Sequence, residues 1–308
     1  MVNAEDTVTM ENPFATTKQE TTKARKQSVA KWTTLAITLI MIVPVLFIIA
    51  DIFVKAAPVL SFDYLFTNPK SSGREGGIWL PLIGTFYLVF SSLVIVAPLG
   101  ILAGIYLSEY APDNGVTRTI NMAVTSLAGV PSIVHGLFGV GAFVLFLGMG
   151  KCLTAAACTV AVMTIPVIIT STREALQAVP QSFREACWNM GATRWQTIRT
   201  IVLPNSVSGI LTGVILEIAR AAGETVPILF TGATASYVIK SNMNPLFPYY
   251  LDKEFMALSY HLHIITEQIS GMPEAMKFGT AAVLIGLILV VNSFSIGLRI
   301  WLRSRKKW

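Results

Sequence analysis

The chain has 308 residues, of which 53% are hydrophobic and only 13% are charged, and its mean hydropathy is +0.63. Soluble globular domains carry roughly 25% charged residues, so this composition excludes an ordinary soluble domain and favours a protein of the lipid bilayer. The formal net charge is +6, but the basic residues cluster at the chain ends and in one loop, a pattern of membrane topology and not of nucleic-acid binding.

Six apolar segments are long enough to cross a bilayer as helices, since about 20 apolar residues span its hydrocarbon core. The predicted spans are 32–54, 80–107, 120–147, 153–170, 206–230 and 278–300. The predicted fold class is therefore all-α, a polytopic membrane bundle of six transmembrane helices.

Lys and Arg residues set the predicted orientation, because cytoplasmic segments of membrane proteins carry an excess of them. They put both chain ends in the cytoplasm and the loops 55–79 and 231–277 outside. The expected divisions are a polar cytoplasmic tail (1–30), a first transmembrane helix with its outer loop (31–79), a core domain (80–300) with a cytoplasmic loop (171–205), and a basic cytoplasmic tail (301–308). This topology predicts a multi-pass protein of the bacterial plasma membrane.

The cytoplasmic loop 171–205 contains three capping-box patterns, in which Ser or Thr precedes Glu or Gln by three residues and satisfies the first N–H groups of a helix. The pairs are Ser171 with Glu174, Ser182 with Glu185, and Thr193 with Gln196. Pro180 separates the first two predicted helices, Gly191 ends the second as a left-handed cap, and Pro204 ends the third. The loop is therefore predicted to be three short helices with sharp corners.

The middle helix of this loop carries one apolar face, because Phe183, Ala186, Cys187 and Met190 follow the spacing of a helical stripe. So short a helix is not stable alone, so this face needs a surface to bury against. That surface is either the inner ends of the chain's own spans or a groove on a cytoplasmic partner. The residues alone leave both readings open.

The fifth predicted span carries charges, at Glu217, Arg220 and Glu224, followed by Thr225. Spacings of three and four put the charges on one helix face, where they neutralise one another in part. Ionisable groups in a membrane are costly and commonly mark a transport pathway, although a structural ion cluster is the alternative. With both carboxylates ionised the trio is net negative, so it is a poor anion trap alone. We interpret it as an interface switch or gate, with Arg220 facing the anion.

Small residues interrupt the third predicted span at Gly129, Pro131 and Ser132. They either break the helix and turn N–H groups toward an anion, as broken helices do in transporters, or allow close helix packing. His135 follows them, as a buried bundle histidine or a titrating pathway group.

In the second outer loop, residues 252–270 have the pattern of an amphipathic helix. Its apolar face contains Phe255, Leu258, Leu262, Ile265 and Ile269. The helix is expected either to cap the bundle or to dock an extracytoplasmic binding protein.

The sequence predicts neither a metal site nor a cofactor on this chain. Cys152, Cys158 and Cys187 lack metal-binding spacing, and His261 and His263 lie two residues apart, unlike a helical ligand pair. The phosphate-binding loop pattern of an ATPase is also missing.

The cytoplasmic loop resembles the EAA signature of ABC importer permeases. The matching positions are Glu185, Ala186, Gly191, Ile201, Leu203 and Pro204, with Cys187 in place of the usual alanine. The resemblance implies a type I importer (MetI-like) permease fold, in which residues 171–205 are the coupling loop of a core permease domain. It also implies that this chain is not an enzyme and that ATP and Mg are bound by a partner ATPase.

The resemblance also implies a role for each residue of the middle helix. Phe183 and Met190 would insert into the groove of the ATPase, with Ala186 on the same face. Arg184 and Glu185 would make polar contacts at its rim, and Gly191 would permit the tight corner that follows.

Further stretches resemble the PstA-type permeases of phosphate importers. They include Ile105-Tyr106-Leu107-Ser108-Glu109-Tyr110, Pro131-Ser132-Ile133-Val134 and Ala219-Arg220-Ala221-Ala222-Gly223-Glu224-Thr225. The predicted pathway or gate contains Glu217, Arg220, Glu224, Thr225 and Ser132, of which all but Glu217 lie in these stretches. The resemblance implies four kinds of partner: a second, PstC-like permease, two copies of a PstB-like ATPase, a PstS-like phosphate-binding protein, and the lipid bilayer.

Three alternatives remain at this point. Sulfate and molybdate importers share the coupling signature. A secondary transporter driven by protons or sodium is disfavoured, because no inverted repeat is visible. An intramembrane enzyme is disfavoured too, because no nucleophile–base pair or zinc-protease motif appears.

Overall fold

A computed structural model describes residues 18–237 and 248–304 of the chain. Most of the expected N-terminal tail, the last four residues of the basic tail and part of the loop 231–277 lie outside these ranges. The chain forms two compact units, residues 1–54 and 55–308, which are described separately.

The first unit consists of helix α1, which begins at Lys18 and continues to Ala56 in the second unit. It contains a membrane-span candidate with a mean hydropathy of 2.8. The helix begins inside the segment 1–30 that was expected to be a polar tail, because the Lys- and Thr-containing turns before Trp32 continue the same helix.

The second unit is helical apart from a two-stranded antiparallel ribbon at its start. Its first elements are α2 (Phe62–Phe66), β1 (Pro69–Lys70), β2 (Glu75–Gly76), α3 (Trp79–Ile105), α4 (Gly115–Ala128) and α5 (Ser132–Gly139). There follow α6 (Leu153–Gln177), α7 (Gln181–Asn189), α8 (Arg194–Thr197), α9 (Leu203–Gly223), α10 (Val226–Thr231), α11 (Leu258–His263) and α12 (Glu274–Ser304).

Four helices continue into wide π-helical turns. These turns cover Tyr106–Tyr110 after α3, Val140–Phe146 after α5, Ile198–Val202 between α8 and α9, and Ile264–Gln268 after α11. Such turns are frequent at functional positions in helices.

Within the described residues, five helices are long and apolar enough to cross a membrane, α1 among them, and α4 with α5 forms a sixth candidate bent by 101°. The predicted span over 120–147 is therefore a bent pair of helices and not one continuous helix. Gly129 ends α4, and Pro131, which has no N–H to give, precedes α5 in an extended conformation. Of the two readings of these small residues, the broken helix is the one observed.

Helices α3 and α6 both begin at one end of the second unit. The Leu258 N–H donates to Thr85 Oγ1 near the start of α3 at 2.8 Å, and the Leu153 N–H at the start of α6 donates to the Lys253 carbonyl at 2.9 Å. Both partners flank or begin α11, so we name this the α11 end.

The opposite ends of α3 and α6 also meet. Glu109, in the π turn after α3, binds Arg184 of α7, which follows α6 directly. We name this the α7 end. Since α3 and α6 run in the same direction, the bent α4–α5 pair must carry the chain back across the bundle, and it counts as a crossing.

Helix α6 is the centre of the bundle, packed against α3 on one side and α9 on another. Glycines let α3 approach it closely, because a Cβ on Gly100 would lie 2.7 Å from Ile168 and one on Gly104 would lie 2.7 Å from Thr172. Such small-residue contacts replace hydrophobic driving force inside a membrane.

Helices α8 and α9 form one continuous rod through the intervening π turn, from Arg194 to Gly223. The prediction that Pro204 ends a separate third helix is wrong. Pro204 lies at the start of α9, and the wide π turn before it relieves the clash that a proline ring makes with the preceding turn. The predicted fifth span 206–230 is also too long, because α9 ends at Gly223 and α10 begins at Val226.

The outer amphipathic helix begins at Leu258 and not near 252. Phe255 is fully buried in an extended segment that forms a parallel bridge with Ala233. Leu258 and Ile265 of the predicted apolar face are buried against the bundle, which favours the capping interpretation of this face.

Candidate functional site

Helix α7 lies at the α7 end of the unit, between two residues that fix its corners. Pro180 in extended conformation is its N-cap, and Gly191 after it has φ +81°, the left-handed region that favours glycine. The predicted Ser182 cap is therefore wrong, while the predicted left-handed cap at Gly191 is confirmed.

The other two capping boxes have opposite outcomes. Thr193 and Gln196 form the predicted box at the start of α8, with both reciprocal hydrogen bonds present. Ser171 and Glu174 begin no helix, because α6 continues through them to Gln177 and the Ser171 hydroxyl donates to the Ile168 carbonyl at 3.2 Å. The predicted coupling loop therefore consists of α7 and the first turns of the α8–α9 rod.

The apolar face of α7 points outward. Met190 is 88% exposed and Phe183 39% exposed, Ala186 is exposed and Cys187 is half-buried. This face is thus not consumed by the chain's own spans. Glu185 is exposed beside it.

Arg184 faces the other way, contrary to the prediction of a rim contact. Its guanidinium donates to Glu109 (Nε–Oε2 3.3 Å, Nη2–Oε1 2.9 Å), to the Val179 carbonyl (Nη1–O 2.6 Å) and to the Leu176 carbonyl (Nη2–O 2.9 Å). It is the sole buried residue of α7. The helical pattern of apolar residues gave no signal for it, because the buried group is charged.

The charged cluster lies where α9 ends. Arg220 Nε lies 3.4 Å from Glu224 Oε1, and Arg220 Nη1 lies 4.0 Å from Glu217 Oε1. The Arg220 side chain is 47% exposed, whereas those of Glu217 and Glu224 are mostly buried. The cluster therefore presents a cation outward and keeps its carboxylates behind it.

The predicted common helix face is correct only for Glu217 and Arg220. Glu224 is extended (φ −70°, ψ 131°) and follows the helix as its C-cap, yet its side chain still reaches Arg220. Glu217 has a buried Oε2 with no hydrogen-bond partner in the described part of the chain.

Of the remaining predicted pathway residues, Thr225 follows the charged cluster directly in the chain, whereas Ser132 lies on another helix. Thr225 precedes α10, and its carbonyl accepts from the Leu229 N–H at 3.0 Å. Ser132 is the first residue of α5, and no hydrogen bond joins it to the charged cluster among the described residues. His135, one turn later, is buried with Nδ1 3.4 Å from the Pro131 carbonyl, and its Nε2 has no partner in that same part of the chain.

A family model described as "binding-protein-dependent transport system inner membrane component" matches residues 96–307. This range contains α4 to α12, with both candidate sites, and exceeds half of the chain. The chain belongs to this family. It is therefore a permease component, as the motif in its coupling loop predicted.

Two curated relatives extend the match beyond that range. The chain is 33% identical over 246 residues to the "probable ABC transporter permease protein YqgI" of Bacillus subtilis, covering 78% of this chain and 84% of the relative. It is 33% identical over 270 residues to the "phosphate transport system permease protein PstA 2" of Mycobacterium bovis, covering 87% and 85%.

A solved structure supports the fold. A chain of the MetNI methionine ABC transporter in an inward-facing conformation aligns with a TM-score of 0.58, 17% identity, and coverage of 73% of this chain and 97% of that one. The predicted MetI-like fold of a type I importer permease is thus confirmed.

Proposed function

We propose that this chain is a permease subunit of an ATP-driven importer of inorganic phosphate. The observation that carries the proposal is a half-exposed arginine, Arg220, at the end of a membrane span, in a chain that resembles a PstA permease over most of its length. A guanidinium suits an oxyanion, because its fixed N–H donors match tetrahedral oxygens.

The charge of the cluster bears on how many subunits the pathway needs. Glu217 and Glu224 hold Arg220 from behind, and with both ionised the trio is net negative. A phosphate anion would meet too little positive charge here. We therefore infer that a second, PstC-like permease adds positive charge, and that this chain forms half of the pathway.

The coupling role rests on the outward apolar face of α7. A short helix with exposed Phe183 and Met190 fits the helix-in-groove mode of recognition. We infer that it docks in a PstB-like ATPase, present in two copies, and that ATP and Mg are bound there. This chain would then have no catalytic residue and no cofactor of its own.

The membrane placement follows from the Lys and Arg distribution. We infer that the α7 end is cytoplasmic and that the α11 end faces a PstS-like binding protein outside. The functional divisions are then the N-terminal tail and first helix, a core permease domain with its coupling loop, and the basic C-terminal tail, in a bacterial plasma membrane.

The substrate is tested by reconstituting the chain with the permease, ATPase and binding protein encoded beside it, and measuring ATP-dependent uptake of labelled phosphate. Unlabelled phosphate is expected to abolish uptake, and excess sulfate or molybdate to leave it unchanged. Uptake abolished by sulfate and not by phosphate would replace phosphate by another oxyanion.

The role of Arg220 is tested with Arg220→Gln, which keeps the length and removes the charge. Phosphate uptake is expected to fall by about one to two orders of magnitude, since a charged hydrogen bond contributes about 1.5–3 kcal/mol. Arg118→Gln, at an exposed arginine of α4 outside the coupling loop, is the matched control. Equal uptake by the two variants would exclude Arg220 from the pathway.

A further inference from the structure

Helix α7 is held to the bundle by a charge. Arg184 is its sole buried residue, at 7% exposure, while the apolar residues around it face outward. A helix that only rested on the spans would bury its apolar face. The structure instead fixes α7 through one polar side chain and leaves its apolar face outside.

The hydrogen bonds of Arg184 use four of the five N–H donors of its planar guanidinium. Its contacts with Glu109 are bidentate, the geometry in which arginine binds carboxylate most strongly. The other two bonds go to the Leu176 and Val179 carbonyls at and just beyond the end of α6, where helices leave carbonyl groups without partners. We name this set of Arg184, Glu109 and the two carbonyls the clamp.

The clamp joins elements that the chain does not join. Helix α7 follows α6 through Pro180 and precedes α8 through Gly191. Helix α3, in contrast, is not adjacent to the coupling loop in sequence. Glu109 lies 75 residues before Arg184 in sequence. Ile105, one turn before Glu109, packs on the buried Leu176, Val179 and Val202. Helices α3 and α6 and the rod therefore meet beside the clamp, at the α7 end.

A cleft beside the clamp leaves α7 room to move. It has a volume of about 390 Å³, and its lining includes Ser108, Gln181, Trp188 and Arg194 as well as Glu109, Val179 and Arg184 of the clamp. Helix α7, with this cleft beside it and a corner residue at each end, could move without moving α3 unless a bond connected the two helices.

We propose that Arg184 and Glu109 are positioning residues that transmit displacement of α7 to α3. The proposal rests on the coupling role of α7 proposed above. When the ATPase moves α7, the bidentate pair pulls the inner end of α3 with it, and the close Gly100 and Gly104 contacts carry the movement to α6. Without the pair, α7 still docks and moves, and α3 stays.

The test uses the complete complex in proteoliposomes with Arg184→Lys, Glu109→Gln and the double variant. Lysine keeps the charge and loses the fork, and glutamine keeps the shape and loses the charge. Each single variant is expected to assemble and to hydrolyse ATP, with phosphate taken up per ATP about tenfold lower. The double variant is expected to be no worse than either single one, since both remove the same contact. Arg118→Lys, at an exposed arginine of α4 outside the coupling loop, is the matched control.

Movement of α3 is measured directly by a spin-label distance. Labels at Asp113, just beyond α3, and at Glu254, at the α11 end, occupy exposed positions, in a background with the three cysteines changed to serine. Trapping with ATP and vanadate is expected to change this distance in the control and not in the clamp variants.

The outcomes separate the clamp from the proposed function. A distance change in the clamp variants equal to that of the control, or unchanged uptake per ATP, would overturn the proposal. Loss of uptake matched by loss of assembled complex would reduce the clamp to a stabilising contact and overturn it too. A complex that imports no phosphate, but in which ATP trapping changes the distance in the wild type and not in the clamp variants, would refute the substrate and support the clamp.

Discussion

The two ends of the bundle are closed by different forces. At the α11 end, Phe255, Ala257 and Leu258 are almost completely buried in the bundle. Tyr249 is buried beside them, and this burial raises its pKa. Its hydroxyl donates to the Leu80 carbonyl. At the α7 end, one helix is attached through a buried arginine and shows its apolar face to solvent.

This difference separates a rigid end from a movable one. Apolar packing in a dense interior gives way only as a whole, because removing any part leaves a cavity. A bidentate ion pair beside a cleft fixes the distance and orientation of its two side chains, while the rest of the helix can move into the cleft. We expect substitutions at the α11 end to affect folding, and substitutions at the α7 end to affect coupling.

The largest effect is expected for Gly84→Ala, which tests the rigidity of the α11 end. A Cβ on Gly84 would overlap the Met256 carbonyl, and backbone on both sides cannot yield. The free energy of unfolding should fall by about 3 kcal/mol or more, visible as a lower thermal midpoint in detergent. Gly286→Ala is the control, since its Cβ would meet no atom within 4 Å. Equal midpoints would show that this end yields after all.

A second test of the α11 end uses His261, whose pKa burial lowers to about 4 from an ordinary 6.5. The folded protein holds it neutral, so stability is complete above pH 6.5 and falls as the pH drops toward 4, because the unfolded chain gains a proton that the folded chain refuses. The loss at pH 4 should be on the order of 3 kcal/mol. Thermal unfolding across this range measures it, and His261→Gln should flatten the curve. An unchanged slope would show that other groups cause it.

At the α7 end, Gly191→Ala should separate stability from coupling. The left-handed φ of +81° costs a non-glycine residue roughly 1–2 kcal/mol, and no atom lies within 4 Å of the new Cβ, so the corner opens and the protein still inserts. Uptake per ATP should fall further than membrane level does. Gly191→Asn, which tolerates this conformation better, should be milder. Two equally active variants would argue against a strict corner.

The smallest effect on stability is expected for Met190→Ser. Met190 is 88% exposed, so the unfolding free energy of the free permease should change by less than about 0.5 kcal/mol. Binding of the ATPase should weaken about fivefold or more, since exposed apolar anchors carry interface energy. Gln181→Ser on the same helix is the control. Unchanged ATPase affinity would remove Met190 from the docking face.

The sequence predicted several local features well. Four of the six apolar spans, the Gly191 cap and the Thr193–Gln196 box depend on a few neighbouring residues, and the structure confirms them. The Ser171–Glu174 box failed because α6 was already helical there, and a capping pattern inside a helix has no free N–H to satisfy.

The clamp could not be predicted from local sequence patterns. Arg184 was expected at a partner's rim because the resemblance to importer permeases implied docking there, and nothing in its neighbourhood encodes a carboxylate 75 residues away, in the turn after α3. Likewise, α9 stops at Gly223 because the chain must turn to let α10 pack on α5 and α6, a tertiary requirement that hydropathy does not reveal.

The continuous rod from Arg194 to Gly223 has a length that determines how far a tilt at one end moves the other. Its 30 residues measure about 45 Å, with Pro204 absorbed and the corners outside it, at Gly191 on one side and at Glu224 on the other. A body of that length with corners only at its tips would act as a lever. A tilt of about 3° at the capping box would move Arg220, about 39 Å away, by about 2 Å, enough to make or break a hydrogen bond.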